Sequence, residues 1–189
     1  MADPAVQKAI LKVMLSLPTP VLRMLSGGGV VWQGGRTLDP RFQFLAAGAR
    51  RTPAMSSLSP DEARAGSAAG LSMMVGKPEV GVRTENLAID GPNGQIKLRA
   101  YRPADQDSSA PLMVFAHFGG GVIGDLETCD TFCGILARIA RTAVLSVDYR
   151  LAPEFRFPVG LDDVLAAYRW GRDNATPLRR GARHGLHRR

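Results

Sequence analysis

Two short apolar runs constrain this chain more than any other feature. Leu112-Met113-Val114-Phe115-Ala116 and Val144-Leu145-Ser146-Val147 lack the alternation of a half-exposed strand. Runs of this length suit strands buried on both faces of a parallel sheet. Between them stand a glycine-rich loop, 118–124, and a stretch from about Glu127 to Arg141. In that stretch Phe132, Cys133, Leu136, Ile139 and Ala140 fall on one helical face. Strand, helix, strand predicts a βαβ unit with parallel strands and a right-handed crossover. One more helix, about Leu161 to Arg172, is expected to bury Leu161, Val164, Leu165 and Tyr168. The predicted fold class is α/β.

The flanking segments read differently. Leu87 and Ile89, then Ile96, Leu98 and Ala100, alternate with polar residues around Asp90-Gly91-Pro92-Asn93-Gly94. That predicts an antiparallel hairpin near a sheet edge. Upstream, residues 1–78 read as helical, loop-rich and without a sheet. Asp3-Pro4 and Asp39-Pro40 have the form of helix starts. Ser59-Pro60-Asp61-Glu62 has the spacing of a capping box, and Gly76-Lys77-Pro78 marks a stop. Val6, Ile10, Val13, Met14 and Leu17 share one face of the first helix. That face predicts either packing on a core or contact with a membrane surface. Lys8 and Lys12 interrupt any signal-peptide apolar region.

Composition narrows the function classes. The chain has 24 Lys and Arg against 17 Asp and Glu, a net +7. Five of the arginines lie within residues 179–189, which hold no acid; the rest is left with 19 basic and 17 acidic residues. The basicity belongs to the last eleven residues, and no spread basic face for nucleic acid is visible. No run of 18 apolar residues is present, so no transmembrane segment is predicted. Three histidines, His117, His184 and His187, are little material for a metal site. Cys129 and Cys133 are spaced for neither a CxxC motif nor an unstrained disulfide, and read as packed thiols in a reducing compartment. That favours the cytoplasm.

The glycine loop admits two readings. Gly119-Gly120-Gly121-Val122-Ile123-Gly124 matches GxGxxG, follows a strand and precedes a helix, and Asp148 ends the next strand. This is the pattern of a dinucleotide-binding βαβ protein, with a nicotinamide cofactor's pyrophosphate at the helix N-terminus. Against it, His117 and Phe118 separate the strand from the first glycine. Asp125 would repel phosphate, and a hairpin precedes the unit.

The second reading uses the whole string from His117 to Asp125. It resembles the HGGG motif of the hormone-sensitive-lipase-like esterases, bacterial α/β-hydrolases. Phe118 stands where that family has Gly, and Gly121 where it has an aromatic; the spacing from His117 to Asp125 is kept. Asp148-Tyr149-Arg150-Leu151-Ala152-Pro153-Glu154 resembles the same family's DYRLAPE block, followed by Phe157-Pro158, Leu161-Asp162-Asp163 and Ala167-Tyr168-Arg169-Trp170. The resemblance covers roughly residues 80–175. It implies the N-terminal half of an α/β-hydrolase sheet over 79–175, a helical cap segment over 1–78, and a non-family basic tail over 176–189. It implies hydrolysis of small-molecule carboxylic esters of short to medium acyl length through an acyl-enzyme, with no metal or organic cofactor. By the same resemblance the backbone N–H groups of Gly119 and Gly120 form the oxyanion hole, while His117, Gly121 and Asp125 support the loop.

Such an esterase also needs a Ser nucleophile, an acid and a His. No Ser in the chain has Gly at both −2 and +2. The nearest string, Gly66-Ser67-Ala68-Ala69-Gly70, has the wrong register and lies in a predicted helix. The family pattern stops after Ala175, which predicts a chain truncated just before the nucleophile strand, with no esterase activity by itself. The competing reading is a genuine basic tail that binds phosphate or membrane. Truncation also predicts unpaired edges at both buried strands, and self-association through them.

Overall fold

The computed structural model describes residues 3–73, 75–106 and 110–180. They form two compact units, 1–63 and 64–189.

The first unit is mainly helical. Helix α1, Pro4–Leu15, starts where Asp3 Oδ1 accepts the Ala5 N–H at 2.8 Å. Helix α2, Thr19–Leu25, follows, and its Leu22 is buried. Gly27, Gly28 and Gly29 then all take positive φ, a conformation that glycine adopts without strain. Two short strands, β1 (Trp32–Gln33) and β2 (Arg36–Thr37), pair antiparallel around Gly34-Gly35. This corrects the expectation of no sheet in the N-terminal segment. Two-residue strands are too short to alternate visibly, and the signal lay in the Gly-Gly turn, whose positive φ values of 56° and 77° suit a tight hairpin. Helix α3, Pro40–Ala49, is capped by Asp39 as predicted, with Arg41 N donating to Oδ1 at 2.8 Å. A 3₁₀ turn, Met55–Ser57, leads to helix α4, Pro60–Ser72, which runs into the second unit. Its capping box forms: Ser59 N donates to Glu62 Oε2 at 2.9 Å.

The second unit is an α/β/α sandwich. Strands β3 (Val82–Gly91) and β4 (Gly94–Pro103) make the predicted hairpin, closing at Gly91 opposite Gly94. Strands β5 (Met113–Ala116) and β6 (Val144–Asp148) pair in parallel on either side of helix α5, Asp130–Ala140. Among the described residues the sheet order is β3-β4-β6-β5, with β4 and β6 antiparallel. Helix α6, Val159–Asp173, and helix α7, Ala175–Arg180, follow.

Alternation along β6 divides the core. Leu145 and Val147 join Ile96, Leu98, Ala167 and Leu178 on the α6 side, whereas Val144 joins Tyr101, Cys133 and Ala137 on the α5 side. Each helix approaches the sheet through a row of small or compact residues. These are Cys133 and Ala137, with the N-cap Cys129, for α5, and Asp163, Ala167 and Gly171 for α6. A Cβ on Gly171 would stand 3.1 Å from Leu112 and 3.2 Å from Leu145, so glycine sets that approach.

Several sequence expectations fail here. Among the described residues β5 is the last strand on its side of the sheet, so Met113 and Ala116 are exposed and Val114 and Phe115 only half-buried, not buried on both faces. Strand β6, expected to have an open edge, has β4 and β5 as neighbours. The large apolar residues assigned to the inner faces of the helices lie outside the close-packed rows. Phe132 and Ile139 of α5, and Leu161, Leu165 and Tyr168 of α6, are exposed. Phe132 touches the sheet only at its margin, its ring 5.5 Å from that of Phe115. The region from Thr176, in which no apolar period was visible, contributes Leu178 to the core. The remaining basic run, 181–189, with His184 and His187, lies outside the described residues.

Candidate active-site loop

The glycine loop leaves β5 at Ala116 and is folded on itself. Gly119 O accepts the N–H groups of Val122 and Ile123, both at 3.1 Å. Gly119, Gly120 and Gly121 take φ of 131°, 62° and 74°. At Gly119 glycine is needed twice over. Its φ lies in the left-handed half of the map, and a Cβ would stand 1.9 Å from Ile123 O. At Gly120 and Gly121 a Cβ would meet open space. Among the described residues, neither the Gly119 nor the Gly120 N–H donates to a backbone acceptor. Their donors are available to a ligand.

Three supports hold this shape. His117 is buried, and its ring stacks on Tyr149 at a centroid separation of 4.2 Å. Nδ1 lies 3.0 Å from Phe118 O, and the Tyr149 hydroxyl donates to His117 O at 2.8 Å. A Cβ on Gly124 would collide with the His117 ring at 2.4 Å, so that glycine closes the loop over the imidazole. Asp125 forms the exit turn: its Oδ1 accepts from Thr128 N and Oγ1, both at 2.7 Å. Gly121 O accepts the Ala152 N–H at 2.7 Å, which ties the loop to the segment after β6.

Arg64, on α4, is the residue that sequence reasoning missed. Its Nε donates to Val122 O at 2.9 Å and its Nη2 to Ala152 O at 2.9 Å. The same guanidinium forks onto Glu154 at 2.8 and 2.7 Å and holds that carboxyl down to about 2. One side chain thus fastens both motif segments. Nothing in its own neighbourhood distinguishes it from other helix-surface arginines. Beside it, a cavity of about 290 Å³ is lined by Arg64, Ser67, Ala68, Gly124, Asp125 and Thr128.

The segment after β6 is anchored separately. Asp163 is fully buried and accepts Arg150 N at 3.0 Å and Arg150 Nε at 2.8 Å, with Nη2 also bonded. Burial raises the Asp148 carboxyl above its ordinary range, with the charges of His117 and Lys97 opposing the shift.

This geometry does not suit a dinucleotide. Helix α5 begins at Asp130, six positions after Gly124, so the glycines do not open onto a helix N-terminus. The Asp125 carboxylate and its turn occupy the interval. Among the described residues no cluster of three or more His, Cys, Asp or Glu has a metal-holding arrangement.

Comparison with known proteins places the loop in context. Residues 113–185 match the family model described as the α/β hydrolase fold. The chain is 40% identical over 169 residues to the carboxylic ester hydrolase LipN of Mycobacterium tuberculosis, covering 87% of this chain and 44% of that protein. It is 35% identical to the ethyl acetate hydrolase of Pseudomonas putida, covering 72% of this chain and 44% of that one. The structure superposes on the hyperthermophilic esterase of the archaeon Pyrobaculum calidifontis with a TM-score of 0.65 and 36% identity, over 75% of this chain and 45% of that one. The chain therefore spans less than half the length of these relatives.

Proposed function

Because the chain belongs to the α/β-hydrolase fold family, together with the carboxylic ester hydrolases it matches, we propose that it supplies the oxyanion-binding part of an ester hydrolase. The observation that carries this is the pair of unspent N–H groups at Gly119 and Gly120, on a loop braced from both sides.

In acyl transfer, the carbonyl oxygen of the ester gains negative charge as the nucleophile adds. Two backbone donors already aimed at that oxygen stabilise the charge without reorganising, an effect of about 3 kcal/mol per donor where it has been removed. Gly119 and Gly120 are the donors. His117, Gly121 and Asp125 hold the loop, each through the contacts described above. The substrate is a small-molecule carboxylic ester, and the mechanism needs neither metal nor organic cofactor. The Ser, acid and His of the acyl-enzyme mechanism are not among residues 1–189 in the required pattern. An acyl-enzyme mechanism would require them from polypeptide outside residues 1–189. The helices before β3 act as the cap segment, and the reduced thiols Cys129 and Cys133 fit a cytoplasmic setting. The open edge of β5 is the place where chains would associate.

The test is hydrolysis of p-nitrophenyl acetate. The 189-residue chain is expected to match the uncatalysed background. Adding a polypeptide that carries the G-x-S-x-G strand with its Asp and His should restore turnover, and Gly119→Ala in this chain should then lower kcat, because a Cβ 1.9 Å from Ile123 O pushes the loop and its N–H groups out of position. Serine-inhibitor-sensitive turnover by the chain alone, or restored turnover indifferent to Gly119→Ala, would overturn the reading.

A further inference from the structure

The first unit, taken above as the cap segment, presents an apolar surface for which that reading names no contact. Helix α1 carries Val6, Ile10 and Val13 on one face, and these are 50%, 56% and 63% exposed. The sequence pattern had allowed this face either a core or a membrane surface, and within its unit it covers no core. Among the described residues of its own unit, no other element packs broadly against α1. Apolar side chains continue beyond it: Met24 on α2 and Trp32 on β1 are both more than 60% exposed.

Charge accompanies this apolar surface. Between Asp3 and Asp39 there is no acidic residue, while Lys8, Lys12, Arg23 and Arg36 are all basic. The acid-free stretch resumes after Asp39 with Arg41, Arg50 and Arg51 and ends at Asp61. Lys8 and Lys12 project from the side of α1 opposite Val6, Ile10 and Val13, so the helix is amphipathic with a cationic back. Among the described residues no single helix is long and apolar enough to cross a bilayer, and α1 and α2 meet at 115°. A short amphipathic helix of this kind lies in the plane of an interface instead, its apolar face among the acyl chains and its lysines within a Debye length of the headgroups. An exposed Trp on an adjoining hairpin suits the same boundary.

We propose that the segment from α1 through the β1–β2 hairpin docks on the surface of an anionic lipid bilayer, with Val6, Ile10 and Val13 as the inserted face. Anionic headgroups are chosen over a protein groove because the segment is uniformly basic, and over nucleic acid because its exposed face is aliphatic.

Co-sedimentation of the full chain with vesicles of phosphatidylcholine alone, and of phosphatidylcholine with 30% phosphatidylglycerol, tests this. Binding is expected to the anionic vesicles and to weaken in 0.5 M NaCl. Ile10→Asp should lower the partition coefficient about tenfold. Lys8→Gln with Lys12→Gln should lower it about fivefold, and only on anionic vesicles. All three side chains are exposed, so the variants should keep the parent circular dichroism. With Trp170→Phe as background, Trp32 emission should shift to the blue on binding. Failure to bind anionic vesicles would overturn the proposal. So would equal binding by Ile10→Asp, which would place adhesion elsewhere on the molecule. Sedimentation velocity showing a dimer that Ile10→Asp dissolves, with no vesicle binding, would assign the face to a second copy.

Discussion

Arg64 and Glu154 stand ninety positions apart and meet through two hydrogen bonds of 2.8 and 2.7 Å. The same guanidinium donates to Val122 O and Ala152 O. A helix, the glycine loop and the segment after β6 thereby share one cation. Planar fork geometry makes this possible, and a lysine would reach fewer of these acceptors.

That tie has a pH signature. Arg64 lowers the Glu154 carboxyl from its ordinary value to about 2. A carboxyl lowered in the fold adds stability above its ordinary pKa, near 4.5, and loses it as pH falls toward 2. Thermal melts between pH 6 and pH 2 should therefore fall less steeply for Arg64→Gln than for the parent below pH 4.5. The pair is part-exposed, so the difference should shrink in 0.5 M salt. Superimposable pH profiles would show that the contact contributes nothing.

Gly119 and Gly120 are adjacent yet should respond differently to alanine. A methyl at Gly119 would stand 1.9 Å from Ile123 O in a strained φ of 131°. A methyl at Gly120 meets nothing, so it faces only its φ of 62°. Gly119→Ala should cost about 3 kcal/mol, from collision plus strain. Gly120→Ala should cost about 1 kcal/mol. Urea denaturation of both variants separates them, and equal midpoints would contradict the loop geometry.

Asp163 is a buried anion whose known partner is Arg150. Asp163→Ala strands that guanidinium and should cost about 3–5 kcal/mol. Replacing both, Arg150→Met with Asp163→Leu, should cost less than the single change, because no charge is left unpaired. A double variant less stable than Asp163→Ala would mean that the pair itself stabilises the fold.

The Cys133 thiol is pushed up to about 12, chiefly by burial. Burial raises Cys129 as well. At pH 8 the native chain should react with a thiol reagent about a thousandfold more slowly than the unfolded chain. Comparable rates with and without denaturant would mean that the α5 face opens freely.

Much of this arrangement was legible from residue patterns, and its gaps have definite causes. The hairpin at 82–103 followed from alternation, and the three helix starts followed from Asp-Pro and Ser-x-x-Glu. Both signals are local, needing only a few neighbouring side chains. The pairing of β5 with β6 was legible because short apolar runs flanking a helix leave few topologies. Which face of α5 or α6 turns inward was not, because that depends on how closely a helix can approach. Gly171 and Ala167 win that contest by being small, while Leu165 and Tyr168 look more buried on paper. The glycine loop was recognisable from its spacing and from its likeness to a known motif. Arg64 was invisible because its partners lie 58 to 90 positions away.

The position of β5 at the margin of the sheet also shapes how its backbone trades protons with solvent. Strand β6 bonds to β4 on one side and β5 on the other, so its amides exchange with deuterium only when one of those pairings parts. Along Met113–Ala116, successive N–H groups point alternately toward β6 and away from it. Protection should therefore rise and fall with a period of two along this strand, slow where the amide faces β6 and near the open-chain rate where it faces outward. A four-residue stretch would thus record, amide by amide, on which side the sheet is bonded.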